Sequence, residues 1–182
     1  MEKNNQPQPG IKRIALIGPE STGKSDLCAK LATHYQTVCV HEYAREYITR
    51  LGRSYTLHDI ELISNLQLEK ELMALKHAAR FLFTDTEMIV SKVWALDVFK
   101  ESPGWFDEKI SVEPYDLYLL TMPDLPWIAD PVRENGHRRD FFFSWYKNEL
   151  DIRKLPYEII SGSGKERFTN ALKAVEKHFG NQ

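Results

Sequence analysis

The sequence predicts an α/β fold with three layers, in which a five-stranded, mainly parallel sheet is covered by helices on both faces. Two observations support this prediction. Five short apolar runs alternate with segments of helical periodicity along the 182 residues, and this alternation is typical of parallel sheets with crossover helices. No internal repeat or linker interrupts the alternation. At this length the chain suits one domain, which we place at residues 11–182.

The predicted strands are bounded by polar or turn-forming residues, and the predicted helices by caps and glycines. The strands are expected at 14–17, 37–40, 81–85, 115–120 and 157–160. Helices are expected at 25–35, from 43 to the glycine at 52, at 56–79 and at 88–99. A further helix is expected to be broken by the Pro-Gly pair at 103–104, and others follow at 141–152 and at the C-terminus.

Composition narrows the classes of partner. The chain is 42% apolar and 27% charged with a formal net charge of −2, whereas nucleic-acid surfaces usually carry a basic excess. We therefore expect a small-molecule substrate. No run approaches the ~20 apolar residues of a membrane span, and residues 1–10 are polar and expected to be disordered. Cys28 and Cys39 lack a metal-binding or C-x-x-C spacing, so we expect reduced thiols and a cytoplasmic protein.

A phosphate-binding loop stands between the first predicted strand and helix. Its residues fit the pattern G-x-x-x-x-G-K-[ST] at every position: Gly18, Pro19, Glu20, Ser21, Thr22, Gly23, Lys24 and Ser25. Backbone N–H groups of such a loop, together with the helix dipole, bind phosphate oxygens. Lys24 is expected at the β- and γ-phosphates, and the Ser25 hydroxyl on Mg²⁺. ATP and Mg²⁺ are therefore the expected cofactors.

Two acids follow strands at the edge of the sheet where parallel sheets bind ligands. Glu42 follows the second strand, where it either accepts the proton of an attacking hydroxyl or serves as an acid favoured by the next helix dipole. Asp85 ends the third strand, where it either binds the hydrated Mg²⁺ or acts as the base in place of Glu42. The sequence leaves both choices open.

The segment after Glu42 is a candidate wall for an acceptor pocket. Tyr43, Arg45, Glu46 and Tyr47 share a short predicted helix. We expect Arg45 and Glu46 at ribose hydroxyls, although Arg45 has the alternative of pairing with Glu42. Tyr47, like Trp127 further along, has a ring that suits a cation or a base.

A basic, glycine-containing stretch after the fourth strand is predicted to be a mobile lid. It carries Arg133, Arg138 and Arg139. A lid arginine neutralises charge on a transferring phosphoryl group in this kind of chemistry. The alternative, a basic turn on a solvated surface, is expected for at least one of the three.

With these motifs in place, the chain resembles the ribosylnicotinamide kinase domain of the bacterial NAD-salvage regulator family, among the small P-loop kinases. Besides the phosphate loop, the matching pieces are E-Y-A-R-E-Y at 42–47, D-T at 85–86, Y-D-L-Y-L-L at 115–120 and P-D-L-P-W at 123–127. They follow the family's order over nearly the whole chain.

The resemblance implies a riboside acceptor, with transfer of phosphate from ATP to the 5′-hydroxyl of nicotinamide riboside. The family's regulator has a DNA-binding segment and an adenylyltransferase domain ahead of the kinase, whereas ten residues precede the first strand here, so we do not carry those activities over. Asp130 is followed by Pro131, where the family pattern has a glycine. We therefore do not carry the family's exact lid geometry over to this chain. A kinase for another nucleoside or small metabolite, and a regulatory P-loop ATPase switch, remain as alternatives.

Overall fold

The computed structural model describes residues 10–130 and 135–180, so most of the predicted N-terminal tail lies outside the described part. Its strands are β1 (Lys12–Ile17), β2 (Val38–Val40), β3 (Phe81–Asp85), β4 (Leu117–Thr121) and β5 (Tyr157–Ile160). Its α-helices are α1 (Lys24–His34), α2 (Tyr43–Leu51), α3 (Leu57–Leu75), α4 (Met88–Phe99), α5 (Gly104–Val112), α6 (Arg139–Arg153) and α7 (Gly164–Phe179). The strands pair in the order β2-β3-β1-β4-β5, and all four pairings are parallel. The predicted α/β fold is confirmed.

The two faces of the sheet bury different helices because side chains alternate along each strand. On β1, Ile14 and Leu16 pack with α1 and α7, whereas Ala15 and Ile17 pack with α3, α4, α5 and α6. Helices cover both faces of β3 and β4, so all residues of these two strands are buried. This burial explains why their sequences are mostly apolar. This arrangement brings the carboxyl ends of β1, β3 and β4 together at one edge.

Two element boundaries differ from the sequence-based expectation. The fourth strand begins at Leu117 rather than Tyr115, since its pairing with β1 starts at Leu117, and the Tyr115 hydroxyl donates to the buried Glu71 carboxylate. The long helix ends at Leu75 rather than Ala79. Its last turn tightens, with the Lys76 and His77 N–H groups donating to carbonyls three residues back.

The corner between α2 and α3 is fixed by one buried carboxylate. Asp59 accepts hydrogen bonds from both Arg53 guanidinium nitrogens, at 2.7 and 2.8 Å, and from the Tyr47 hydroxyl at 2.7 Å. It also forms a reciprocal capping box with Thr56 at the start of α3. The Arg53 hydrogen bonds, ahead of those from Thr56 and Tyr47, hold the pKa of Asp59 far below its usual range.

The cysteine prediction is wrong in this structure. Cys28 and Cys39 form a disulfide, and no free cysteine occurs in the described residues. Helix α1 packs directly on β2, so residues eleven positions apart have Cα atoms 6.0 Å apart. The sequence spacing gave no indication of this contact. No helix in the described part of the chain has the length and apolarity needed to cross a bilayer.

Replacing Asp59 by Asn is expected to lower the melting temperature at pH 7, because the amide cannot accept the same charge-assisted bonds. The pKa of Asp59 is depressed in the folded state. The stabilisation that the Asp59 carboxylate gives to the folded protein is therefore complete above the unfolded pKa of about 4 and is lost as pH falls through the folded pKa. The difference in melting temperature between wild type and variant should be constant from pH 5 to 8 and shrink below pH 4. Thermal unfolding across that range measures it, and a pH-independent difference would contradict this account.

Candidate active site

The phosphate loop adopts a conformation that glycine and short polar residues permit. Gly23, the N-cap of α1, has φ of +76°, and Ser21 has φ of +55°. The Thr22 hydroxyl donates to the Pro19 carbonyl at 2.8 Å and lies 2.7 Å from the Thr121 hydroxyl. The side chain of Thr22 therefore holds the loop from inside, and the backbone N–H groups are left to bind an anion.

Gly18 allows the loop to lie against the end of β4. A Cβ atom at this position would be 2.3 Å from Thr121 Oγ1 and 2.7 Å from the Thr121 carbonyl oxygen. Its φ of +144° also disfavours a side chain. The first glycine of the motif is thus required by backbone packing as well as by the phosphate.

Lys24 lies over its own loop. Its ammonium donates to the carbonyls of Gly18 and Pro19, each at 2.8 Å. This position is at the mouth of the loop, where an ammonium group contacts bound phosphates in P-loop proteins.

Ser25 and Asp85 meet where α1 begins and β3 ends, since Leu16 of β1 is in register with Asp85. The Ser25 hydroxyl donates to Asp85 Oδ2 at 2.5 Å. Asp85 Oδ1 is buried and has no hydrogen-bond partner among the described residues. An unpartnered carboxylate oxygen beside a serine hydroxyl fits a Mg²⁺ ion, which takes few protein ligands and fills its shell with water and phosphate oxygens.

A metal cage made by the protein alone is not observed. Within 10–130 and 135–180, no group of three or more His, Cys, Asp or Glu side chains is arranged to hold a metal ion.

Glu42 is the N-cap residue of α2, but its side chain makes no capping hydrogen bond. The alternative that Glu42 is an acid favoured by the helix dipole stays open, because that effect needs a charge at the N-terminus and no hydrogen bond. Burial raises the pKa of Glu42, and the nearby Asp85 charge raises it further, against the opposing charges of Lys24 and Arg45. A carboxylate with a raised pKa next to the phosphate loop is suited to accept a proton.

One cavity of about 450 Å³ is lined by the whole phosphate loop, by the adjoining Asp26 and by residues of other elements. The aromatic and apolar side chains in this lining, which we call the second compartment, include Tyr55, Ile63, Trp94, Phe142 and Tyr146. Glu42 and Arg45 also line the cavity. The volume is within the range of small-molecule sites.

Helix α4 contributes a face that the sequence reasoning missed. Glu87, Val90, Ser91, Trp94 and Asp97 all line the cavity. Their spacing of three and four residues, with polar groups inside an otherwise apolar helix, was the available signal. Glu87 is buried beside the cavity, and burial raises its pKa to about 8.

Four residues predicted to bind substrate lie outside the cavity lining. Tyr47 donates to Asp59, Glu46 pairs with Arg50, and the Tyr43 ring lies under the Lys70 ammonium. Trp127 packs against Gly136, where a Cβ atom would meet its ring at 2.6 Å. The α2 residues that do line the cavity are Ala44, Arg45 and Ile48, so the helix is rotated relative to our expectation.

Arg45 does not pair with Glu42 in the structure. One guanidinium nitrogen, NH1, donates to both Asp130 oxygens, at 2.9 and 2.8 Å. Arg45 therefore joins α2 to the segment after β4 and stands at the cavity with its charge partly neutralised.

The predicted lid arginines have protein partners. Arg138 forms a bidentate ion pair with Asp97, at 2.8 and 2.6 Å, and Arg139 donates to the Leu125 carbonyl at 2.7 Å. Neither lines the cavity. Arg133 lies outside the described residues. Two described residues nearby contact the phosphate loop: the Ile128 N–H donates to Ser21 and the Asn135 N–H donates to Glu20.

The sheet order and the phosphate loop between β1 and α1 define a P-loop nucleotide-binding protein. A family model described as an AAA domain matches residues 13–167, and the chain belongs to that family.

Among curated proteins, the chain is 28% identical over 134 residues to the trifunctional NAD biosynthesis/regulator protein NadR of Escherichia coli K12. The match covers 71% of this chain and 33% of the relative, so the chain spans about a third of that protein's length.

Among solved structures, a NadR protein in complex with NR matches with a TM-score of 0.84 at 25% identity, over 95% of this chain and 53% of that chain. Thymidylate kinase from Ehrlichia chaffeensis matches with a TM-score of 0.62 at 11% identity, over 92% and 99%. The second match shows the fold alone. The predicted resemblance is confirmed.

Gly18→Ala is expected to destabilise the protein by roughly 1–3 kcal/mol, because the new methyl group must displace the β4 backbone and adopt a strained φ. The control is Gly104→Ala, since no atom lies within 4 Å of a Cβ there and φ is not positive. Thermal unfolding should show a lower melting temperature for the first variant and an unchanged or higher one for the second. Equal melting temperatures would disprove the packing role of Gly18.

Proposed function

We propose that this protein is an ATP-dependent kinase that phosphorylates the 5′-hydroxyl of nicotinamide riboside to give nicotinamide mononucleotide. The observation that carries the proposal is that the phosphate loop, the half-buried Glu42 and the aromatic side chains of the second compartment all line one cavity. A regulatory switch needs no second compartment. The likeness to a NadR protein solved with NR supports the choice of acceptor.

The second compartment, with its aromatic lining, suits a flat, positively charged ring. The rings of Tyr55 and Trp94 meet edge to face with centroids 4.9 Å apart, so an aromatic face is held in place. A cation over such a face gains ~0.5–2 kcal/mol. The acidic residues of the cavity attract a positive charge less than their number suggests. Asp97 is paired with Arg138, and burial raises the pKa of Glu87 to about 8, which keeps it largely protonated at neutral pH.

The hydrogen bonding of Asp85 and the raised pKa of Glu42 support different roles for these two acids. Asp85, bonded to Ser25 and with one oxygen unpartnered, is proposed to hold Mg²⁺ with that serine. The metal would supply charge neutralisation between the phosphates. Glu42 is proposed to accept the proton of the 5′-hydroxyl as it attacks, and its raised pKa brings it closer to neutral pH.

Lys24 is proposed to leave the Gly18 and Pro19 carbonyls and neutralise charge on the β- and γ-phosphates. Phosphoryl transfer requires mainly positioning and charge neutralisation, so one base, one ammonium group and one metal are sufficient. Arg133 remains a prediction as the lid arginine, because Arg138 and Arg139 are engaged by Asp97 and Leu125.

We also propose a cytoplasmic location, where ATP is available. The Cys28–Cys39 disulfide argues against it, because disulfides are uncommon in reducing compartments.

Glu42→Gln and Asp85→Asn separate the base from the metal ligand. Both keep shape and remove charge, and Lys24→Ala in the same series should fold and lose most catalysis. Raising Mg²⁺ should partly restore kcat of Asp85→Asn, whereas no Mg²⁺ concentration should restore Glu42→Gln, because a missing base is not replaced by metal. Steady-state ATP consumption over a Mg²⁺ series measures this. Rescue of Glu42→Gln instead would reverse the two assignments.

Nicotinamide riboside is expected to be preferred over uridine, cytidine and adenosine in kcat/KM. A single cation–π contact accounts for at most about thirtyfold, so any larger preference requires hydrogen bonds to the carboxamide. Trp94→Leu keeps apolar bulk while removing the ring, and should raise KM for nicotinamide riboside about tenfold and leave that for uridine unchanged.

The matched control is Trp127→Leu, since that ring packs outside the cavity. Its KM should stay within twofold of wild type. An equal or higher kcat/KM for an uncharged nucleoside would show that the kinase has a different acceptor.

A further inference from the structure

Arg167 is a buried charge that the proposed chemistry does not use. It lies in the first turn of α7 and is 3% exposed. Its guanidinium makes five hydrogen bonds, which equals the five N–H donors of an arginine. The acceptors are the backbone carbonyls of Thr22, Met122, Ile160 and Gly162 and the carboxylate of Asp124.

These acceptors belong to segments far apart in the chain that meet at the carboxyl edge of the sheet. Thr22 is in the phosphate loop, Met122 follows β4, Ile160 ends β5, and Gly162 precedes α7. A lysine has a single nitrogen and three donors, so it cannot serve this set. Burying a guanidinium is costly unless it is fully paired, and here each of its N–H groups has an acceptor.

The bond to Thr22 bears on the nucleotide. Arg167 NH1 donates to the Thr22 carbonyl at 3.0 Å. That carbonyl belongs to the same peptide unit as the Gly23 N–H, and in a planar trans peptide the two point in opposite directions. Holding the carbonyl towards Arg167 therefore directs the Gly23 N–H away from the guanidinium, and Gly23 is one of the residues that line the cavity.

Asp124 holds the guanidinium in place. One of its oxygens pairs with Arg167, and the other accepts the Gly162 N–H at 2.7 Å. Asp124 is the acid of the P-D-L-P-W sequence, whose tryptophan lies outside the cavity. The side chain of Asp124 is 30% exposed, so the pair is reached from solvent on the carboxylate side only.

We propose that Arg167 and Asp124 are positioning residues for nucleotide binding: Arg167 orients the Thr22–Gly23 peptide so that its N–H faces the phosphates, and Asp124 fixes the guanidinium. This rests on nucleotide binding by the phosphate loop and not on the identity of the acceptor.

The test uses Asp124→Asn, which retains an oxygen for the Gly162 N–H and removes the charge that pairs with Arg167, and Arg167→Lys. The control is Lys177→Gln, on the same helix, which breaks an exposed ion pair with Glu158. The measurements are the dissociation constant of Mg²⁺-ATP by calorimetry without any acceptor, the melting temperature, and KM for ATP and for nicotinamide riboside.

Both site variants should remain folded and bind Mg²⁺-ATP about tenfold more weakly, with KM for ATP rising in parallel and KM for the acceptor within twofold of wild type. Lys177→Gln should match wild type throughout. The proposal is overturned if ATP affinity is unchanged in both variants, if both KM values rise together, or if Asp124→Asn does not fold, because the pair would then serve the fold alone. Absence of turnover with nicotinamide riboside would refute the proposed acceptor and leave the ATP affinities as the test.

Discussion

The hydrogen bond between Ser25 and Asp85 is the contact on which the site depends. It joins the start of α1 to the end of β3 and is possible only because β1 and β3 are neighbours in register. Glu42 lies near the same point because β2 pairs with the other side of β3. Two acids and one hydroxyl, distant in sequence, thus meet at one edge of a parallel sheet. Burial raises the pKa of Glu42, and the charge of Asp85 raises it further.

The second compartment has fewer free charges than its residue types indicate. Arg138 is paired with Asp97, Arg45 is paired with Asp130, and Glu87 is buried with a raised pKa. Long-range attraction of a cation by several acids is therefore a weaker explanation for acceptor choice than contact with aromatic faces. Discrimination then depends on the shape and hydrogen bonds of a cavity, which is usual for small-molecule sites.

The features that could be predicted from the sequence are those whose geometry is set within one short segment. The phosphate loop needs its glycines because of backbone conformation and close packing, so Gly18 and Gly23 were recognisable from the pattern. The five strands were recognisable because each is a short apolar run, and Asp85 because it ends one of them. These signals are local.

The remaining features depend on contacts between distant segments. The rotation of α2 about its axis decides that Arg45 rather than Tyr47 faces the cavity, and that rotation is set by packing on α3. Ion pairs such as Arg45 with Asp130 and Arg167 with Asp124 join residues far apart in the sequence, and the Cys28–Cys39 disulfide depends on where α1 lies on β2. A single sequence contains no local signal for these partners.

We propose that one cavity holds nucleotide and acceptor together, so that phosphate passes directly between them. The most direct measurement is a single turnover with protein in excess over γ-labelled ATP, with and without nicotinamide riboside, followed by separation of the labelled products. This account predicts that nearly all of the label appears in the 5′-phosphate of nicotinamide mononucleotide and that little ATP is consumed without the riboside. Release of the label as inorganic phosphate at a rate independent of the riboside would contradict it and indicate an ATPase.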